Sequence, residues 1–579
     1  MSSRPARILW IATALSLAAW FAAGTAPVAH HPALSGALWV TALGLLLATG
    51  LAGWHPAHRL SAPTWIAAAI GLVALGLRLV ALDRIPTIFS GNEAGVGLSA
   101  LEFVRGTRSN LFDLGWWSFP SLYFCLQSWP LRLLGASVFG IRFSSSLIGA
   151  LTVVATYAYA RRAFGRATGL LSAAFLAFSG FHIHFSRLGL NNIWESLLAV
   201  LLAGGLVYAW KTPDPRRFLI PGLVLGLAQY FYVGGRMFLV LVPVWVILAC
   251  SDRRHPMGKR LSLAGYTLWA AAIAALPLTL FYLQHPDAFI APWRRVGLFS
   301  YWWDVQTVLY GDPGWWVLGE QLIKAPLGFV SAGLTEFYSG PLLTPLAAGL
   351  FVAGAVQVLR TLKDPAGLWM GLWLAGTMAT VALSANPPAA QRYAGAAAAA
   401  AILVALGAVS LVRWFGLGDV ERPCLRAAAV VGIALVTACA WEVCHYFVVP
   451  SAAQAFGDFN AETGFRVAES LREGEPIHRA FFFVSPRMGL ADHETVLFLA
   501  PTVSGEDIQD RPDWRIDIEQ AGDYALIFLP ERADALADAQ ACFPGGQTVH
   551  TQGREGHLLL IRYDVHLDQP TVCSAVEPR

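Results

Sequence analysis

Four short stretches carry side chains able to do chemistry. The first, DRIPTIFSGNEAGVGLSALE from Asp83 to Glu102, follows an apolar run from Pro63 to Leu82 and sets Glu93 among Gly91, Gly95 and Gly97. Glycines beside a carboxylate let a bulky substrate approach the backbone. A carboxylate at a membrane surface is suited to general base catalysis, and a solvated Glu in a turn is the plain alternative. The second, FHIHFSRLGLNNIWE from Phe181 to Glu195, gathers His182, His184, Arg187, Asn191, Asn192 and Glu195. A His-x-His pair with an acid could hold a metal. Phosphate gripped by Arg187, with sugar hydroxyls held by Asn191 or Asn192, accounts for more of the set. The third, NPPAAQRYAG from Asn386 to Gly395, brings Gln391, Arg392 and Tyr393 to the mouth of a run of small residues, where helices or a lipid chain can come close. The fourth, QYFYVGGR from Gln229 to Arg236, places two glycines in a turn ahead of Arg236.

These stretches must be positioned by membrane helices. The chain has 579 residues, 56% hydrophobic and 13% charged, with a mean hydropathy of +0.54. A soluble protein carries about 25% charged residues. A net charge of +3 gives no footing for nucleic acid as a partner. Apolar runs of the roughly 20 residues that span a bilayer predict about 13 transmembrane helices. They begin with Ile8–Val28, Gly36–Trp54 and Pro63–Leu82, include Ala167–Ile183 and Phe218–Val233, and end with Tyr393–Val412 and Ala427–Val449. Two long loops, 83–140 and 284–340, interrupt them. With the N-terminus cytoplasmic, the inner segments hold eighteen Lys and Arg, and the short outer loops only Arg187, Arg236 and Arg392. That asymmetry predicts a multi-pass protein of the plasma (inner) membrane with both long loops and the C-terminus outside.

The outer arginines, with Arg78 near the outer end of its span, oppose the usual bias. They either snorkel to lipid headgroups or form a set of guanidinium groups for phosphate. Tryptophans of the second outer loop, among them Trp293, Trp302, Trp303, Trp315 and Trp316, suit either sugar stacking or a membrane interface. From Pro450 the composition turns polar. Helix-like Glu462–Arg472 and Glu531–Ala541 alternate there with strand-like Arg479–Val484, Asp523–Leu529 and His557–Tyr563, predicting a small α/β extracytoplasmic domain over 450–579. Its two cysteines, Cys542 and Cys573, are a disulfide pair on an oxidising face or two free thiols.

With these residues in hand, the chain resembles the GT-C membrane glycosyltransferases. More narrowly it resembles family 39, which includes protein O-mannosyltransferases and the lipid A aminoarabinose transferases. The likeness covers roughly Pro63 to Val412 and rests on the acidic opening of the first outer loop, SRLGLNN, YFYVGGR and the late QRY. In the family the loop motif is commonly Asp-Glu. Here it is Asn92-Glu93, so the resemblance assigns the base to Glu93. The position often acidic in relatives after SRLGLN is Asn192 here, with Glu195 one helical turn on.

The resemblance implies transfer of a sugar from a polyprenyl-phosphate donor to an acceptor hydroxyl, the acceptor being lipid, polysaccharide or protein. Glu93 serves as base, with Asn92 beside it. Arg187, Arg392, Arg236 and Arg78 hold the phosphate, and Asn191, Asn192, Glu195, Tyr393 and His184 complete the substrate site. A divalent metal is compatible with this chemistry and not required by it. A transporter or flippase for a lipid-linked sugar, or a non-catalytic relative, are the competing readings. Within this scheme 1–62 is an N-terminal hairpin and 63–449 the transferase domain.

Overall fold

The computed structural model describes residues 3–23, 31–53, 62–212, 214–250, 257–330, 334, 337–338, 340–415, 418–419, 422–423, 425–448, 457–472, 477–510 and 514–574. The domain boundary expected at Pro450 lies outside these residues. The chain forms two compact units. The first comprises Met1–Ile85, Arg105–Gln127 and Arg142–Ala455, and the second Pro86–Val104, Ser128–Ile141 and Phe456–Arg579.

The first unit is helical. Across the described chain, six helices are long and apolar enough to cross a membrane, including Asn192–Lys211, Ser262–Gln284 and Ala394–Trp414, and five shorter apolar helices accompany them. Small residues set their closest approaches. Gly222 and Gly226 lie against the backbone of the Met257–Gln284 helix, where an added Cβ would meet the carbonyls of Thr267 and Ala271. Two predicted spans are broken by local chemistry. The run expected over Ala167–Ile183 divides at Ser179, whose side chain accepts the amide of His182 and starts the separate Gly180–Phe185 helix. The run expected over Phe218–Val233 ends as a helix at Leu227. It continues as the short 3-10 turns Ala228–Tyr230 and Val233–Arg236 before the helix resumes at Met237.

The second long loop, 284–340, contains further short helices, Pro286–Val296 and Gly314–Leu327 among them. Trp315 and Trp316 lie exposed on the latter, as aromatic residues at a membrane–water boundary do.

The second unit is an α/β domain. Its strands are β1 (Arg479–Phe483), β2 (Ser504–Ile508), β3 (Arg515–Ile518), β4 (Gly522–Phe528), β5 (Gln547–Gln552), β6 (Leu558–Leu567) and β7 (Thr571–Ser574). Five form a sheet in the order β2-β1-β4-β6-β5, while β3 pairs with β7. β1 runs parallel to β2 and β4, and β6 runs antiparallel to β4 and β5. The core holds Phe481, Phe483, Leu526, Phe528 and Tyr563, and the Phe483 and Phe528 rings stack at 4.2 Å. A disulfide joins Cys542 to Cys573. Two segments of the first long loop, 83–140, also belong to this unit. The Gly91–Arg105 helix packs on the short Glu494–Leu499 helix, with Gly97 facing the ring of Phe498. Gly91, Gly95 and Gly97 are therefore helical residues, and Gly97 makes room for the neighbouring Phe498 ring. They do not form the glycine loop around an acid that the sequence suggests.

Candidate active site

Glu195 occupies the first turn of the Asn192–Lys211 helix and is 6% exposed. It lines a cavity of about 230 Å³ together with Arg236 and Arg392. Tyr232, Trp293, Thr377, Thr380 and Ser384 also line it, among apolar residues such as Val233, Met237 and Leu383. The stretches FHIHFSRLGLNNIWE, QYFYVGGR and NPPAAQRYAG thus each contribute one charged side chain, Glu195, Arg236 and Arg392. Gly234 and Gly395 flank Glu195 so closely that a Cβ at either would overlap its carboxylate. This is the reason the two turns need glycine.

Both cavity arginines donate to neutral acceptors. Arg236 donates from Nη1 to the Phe289 carbonyl at 2.6 Å and from Nη2 to the Tyr282 hydroxyl at 3.3 Å. Its guanidinium also lies 4.1 Å from the Phe289 ring centre. Arg392 donates from Nη1 to the Ser384 hydroxyl and the Ala385 carbonyl. Arg236 lines a second hollow as well, an apolar groove of about 640 Å³ walled by Leu225, Leu268, Ala271, Ala275 and Phe289. One guanidinium therefore borders both the apolar groove and the cavity that holds the charged side chains of Glu195 and Arg392.

The other arginines of the expected phosphate set have different work. Arg187 is fully buried, and its guanidinium donates to five carbonyls, those of Leu77, Arg78, Val80, Ala81 and Ile85, at 2.6–3.1 Å. It closes the open carbonyl end of the Ala62–Leu79 helix and keeps no donor for phosphate. Arg78, equally buried, donates to the carbonyls of Ala74, Ala177 and Leu176 and meets His182 Nδ1 at 2.7 Å. Both expectations of phosphate binding are corrected on these grounds.

His184 is likewise committed, with Nε2 at 2.7 Å from the Phe337 carbonyl and Nδ1 at 3.3 Å from the Tyr446 hydroxyl. Among the described residues no three His, Cys, Asp or Glu side chains converge as a metal-holding group. Asn191 donates to the Phe231 carbonyl at 3.0 Å and Asn192 to the Gln391 carbonyl at 3.5 Å, tying three motif stretches together. Tyr393 is buried and donates to the Ala325 carbonyl at 2.8 Å. These three hold backbone rather than line the cavity.

Glu93 belongs to the second unit. It is fully buried in the first turn of the Gly91–Arg105 helix, with Asn92 half-buried beside it. The Ser90 amide donates to the Glu93 carboxylate at 3.4 Å, and the Glu93 amide donates to the Ser90 hydroxyl at 3.3 Å. This reciprocal pair is a capping box. Its signature, Ser-Gly-Asn-Glu over Ser90–Glu93, is legible in the sequence and was the missed signal for a helix start here. Ser384 and Tyr232 were also missed as cavity residues. Ser384 lies just ahead of the Asn386-Pro387-Pro388 turn, and Tyr232 reads from sequence as an ordinary interface aromatic.

Residues 119–279 match the family described as dolichyl-phosphate-mannose-protein mannosyltransferase. A direct comparison with curated protein sequences gives no significant match. Among solved structures, ArnT from Cupriavidus metallidurans, solved bound to undecaprenyl phosphate, superposes with a TM-score of 0.53 at 13% identity, over 87% of this chain and 98% of that one. The Archaeoglobus fulgidus oligosaccharyltransferase in its complex with zinc and sulfate gives 0.50 at 11% identity, over 86% of this chain and 72% of that one. In its apo form the same protein gives 0.49 at 12% identity over 77% of this chain, which spans 64% of its length. The chain is a membrane protein of the GT-C fold, similar to the glycosyltransferases of family 39.

Proposed function

We propose that the protein transfers a sugar from a polyprenyl-phosphate donor to an acceptor hydroxyl at the outer face of the plasma membrane. The single observation that carries this reading is the position of Arg236 on the border between the apolar groove and the cavity that holds Glu195 and Arg392. A lipid-linked sugar has the same division: an isoprenoid tail, a phosphate and a polar ring in that order. The tail lies in the groove, the phosphate exchanges with the neutral acceptors that now hold Arg236 and Arg392, and the sugar enters the cavity. A guanidinium leaves a carbonyl readily for a phosphate because charge-assisted, bidentate bonds are the stronger ones. As the bond to the anomeric carbon breaks, negative charge grows on the departing phosphate, and preorganised donors stabilise it there. The undecaprenyl phosphate of the ArnT complex supports the donor class. The excess of Lys and Arg in the expected inner loops supports the orientation, with the N-terminus cytoplasmic.

The test uses the full chain in membrane vesicles, a panel of radiolabelled polyprenyl-phosphate sugars, and chromatography of the products. Label moving from the lipid to an acceptor supports the reading, as does its loss in Arg236→Ala. Label that crosses the bilayer still attached to its lipid identifies a flippase instead. Intact, unmoved donor for every sugar sinks the enzyme reading.

A further inference from the structure

We propose that Glu195 is the catalytic base of the transfer, an assignment that rests on the glycosyl-transfer reading above. Its carboxylate lines the cavity that the two arginines share. Among the described residues no hydrogen bond or ion pair engages it. A buried carboxylate without a donor is costly to keep, so a fold that retains one at this position has a use for it. The first turn of a helix offsets part of that cost, because amide dipoles there favour negative charge.

The surroundings keep the group ready to take a proton. Gly234 and Gly395 pack on opposite chain segments against the carboxylate, limiting where its oxygens can go without donating a hydrogen bond to them. Arg236 and Arg392 are satisfied by carbonyl and hydroxyl oxygens and form no ion pair with it. A cavity wall with two cations and one unquenched carboxylate is suited to separating the two charges of a displacement. The leaving phosphate goes to the arginines and the acceptor proton to the acid. Glu93, by contrast, has its carboxylate engaged with the Ser90 amide as part of a helix cap.

In the step itself the acceptor oxygen forms a bond to the anomeric carbon. The bond from that carbon to the bridging phosphate oxygen breaks, and its electron pair leaves with the lipid phosphate. The acceptor proton moves to a Glu195 oxygen and from there to water after the product departs. A single displacement of this kind inverts the anomeric centre.

The experiment compares wild type, Glu195→Gln, Glu195→Asp and Glu93→Gln as full-length proteins in vesicles, with kcat and donor KM measured across pH. Glu195→Gln is expected to lower kcat by about 10²–10⁴-fold with donor KM little changed, and to abolish the acid limb of the kcat–pH profile. Glu195→Asp restores part of kcat together with that limb. Should Glu195→Gln fail to fold by thermal melting, Glu195→Asp carries the test, because a shifted limb with reduced kcat marks a titrating base. Wild-type kcat in Glu195→Gln, or loss of the limb in Glu93→Gln alone, overturns the assignment while leaving the transferase reading intact. No transfer by wild type from any donor overturns both.

Discussion

The Arg187 guanidinium donates to the Ile85 carbonyl from both Nε, at 3.1 Å, and Nη2, at 2.9 Å. Ile85 is the last residue of the first unit before the chain passes into the second at Pro86. The same guanidinium holds the carbonyls of Leu77, Arg78, Val80 and Ala81. Arg142, the residue at which the chain re-enters the first unit, donates to Leu82 at 3.2 Å. Two arginines therefore fasten the end of the Ala62–Leu79 helix and the segment that leaves it. Arg187→Ala should lower thermal stability in detergent by at least about 3 kcal/mol, because each buried carbonyl left unsatisfied costs about 1–3 kcal/mol. Arg187→Lys should rescue little, since one ammonium cannot reproduce a planar five-donor fork. An undiminished melting temperature in Arg187→Ala would contradict this account.

Arg236→Ala and Arg392→Ala should each weaken donor binding by roughly 10–100-fold, equivalent to about 1.5–3 kcal/mol for a hydrogen bond to a charged group. Titration of a fluorescent polyprenyl phosphate without its sugar checks this directly. Equal affinity in wild type and both variants would remove phosphate from this cavity.

Ser90→Ala should cost about 1 kcal/mol of stability through loss of the cap. Glu93→Gln should be nearly neutral in stability, since glutamine also closes a capping box. Differential melting of the two variants separates the helix-start role of Glu93 from any role in catalysis.

The disulfide between Cys542 and Cys573 closes a loop with a sequence separation of 31. Chain entropy alone puts its contribution near ~3.5 kcal/mol. A Cys542→Ser, Cys573→Ser double variant should unfold at correspondingly lower denaturant concentration. Wild type in reducing buffer should behave in the same way.

Burial holds the His493 imidazole below its ordinary value of 6.5, against the opposing pull of Glu494 and Asp458. Its Nδ1 accepts the Thr495 amide at 3.3 Å and caps the Glu494–Leu499 helix. A histidine depressed in the folded state takes up its proton more readily when unfolded. The contribution of its neutral, capping form to stability is therefore fully present above pH 6.5 and is lost as pH falls from there through the lower folded-state value. The second unit should loosen on acidification, measured as faster amide exchange in the Gly91–Arg105 and Glu494–Leu499 helices. His493→Asn, which can still cap, should flatten that pH dependence.

Much of the architecture is legible because it rests on periodicity and composition. The helix expected over Glu462–Arg472 is observed as Phe459–Arg472, and the strands expected over Arg479–Val484 and Asp523–Leu529 as Arg479–Phe483 and Gly522–Phe528. β2 and β5 escape a sequence reading because they are sheet edges with polar residues such as Glu506, Asp507, Gln547 and His550, which do not alternate apolar and polar. The site is harder to read. Arg187 and Arg236 look alike in sequence, single arginines in short loops. Only the tertiary partners distinguish them: five carbonyls around one, and a cavity wall with an aromatic ring beside the other. Glu195 reads as a helix-start acid, and the glycines that frame it come from residues 39 and 200 positions away in the chain.

The second unit is assembled from three separate stretches, 86–104, 128–141 and 456–579. During synthesis the Gly91–Arg105 helix leaves the ribosome more than 350 residues before Phe498, the ring that covers Gly97. At the ordinary elongation rate of about 5–20 residues per second, its apolar side waits tens of seconds uncovered. A chaperone, or the bilayer surface itself, has that interval in which to shield it. Truncation before Phe456 makes the wait permanent, so a tail-less protein is not an intact catalytic half but one with an unfinished loop. Coexpressing residues 450–579 as a separate exported chain should recover such a truncation if the two pieces can still find each other.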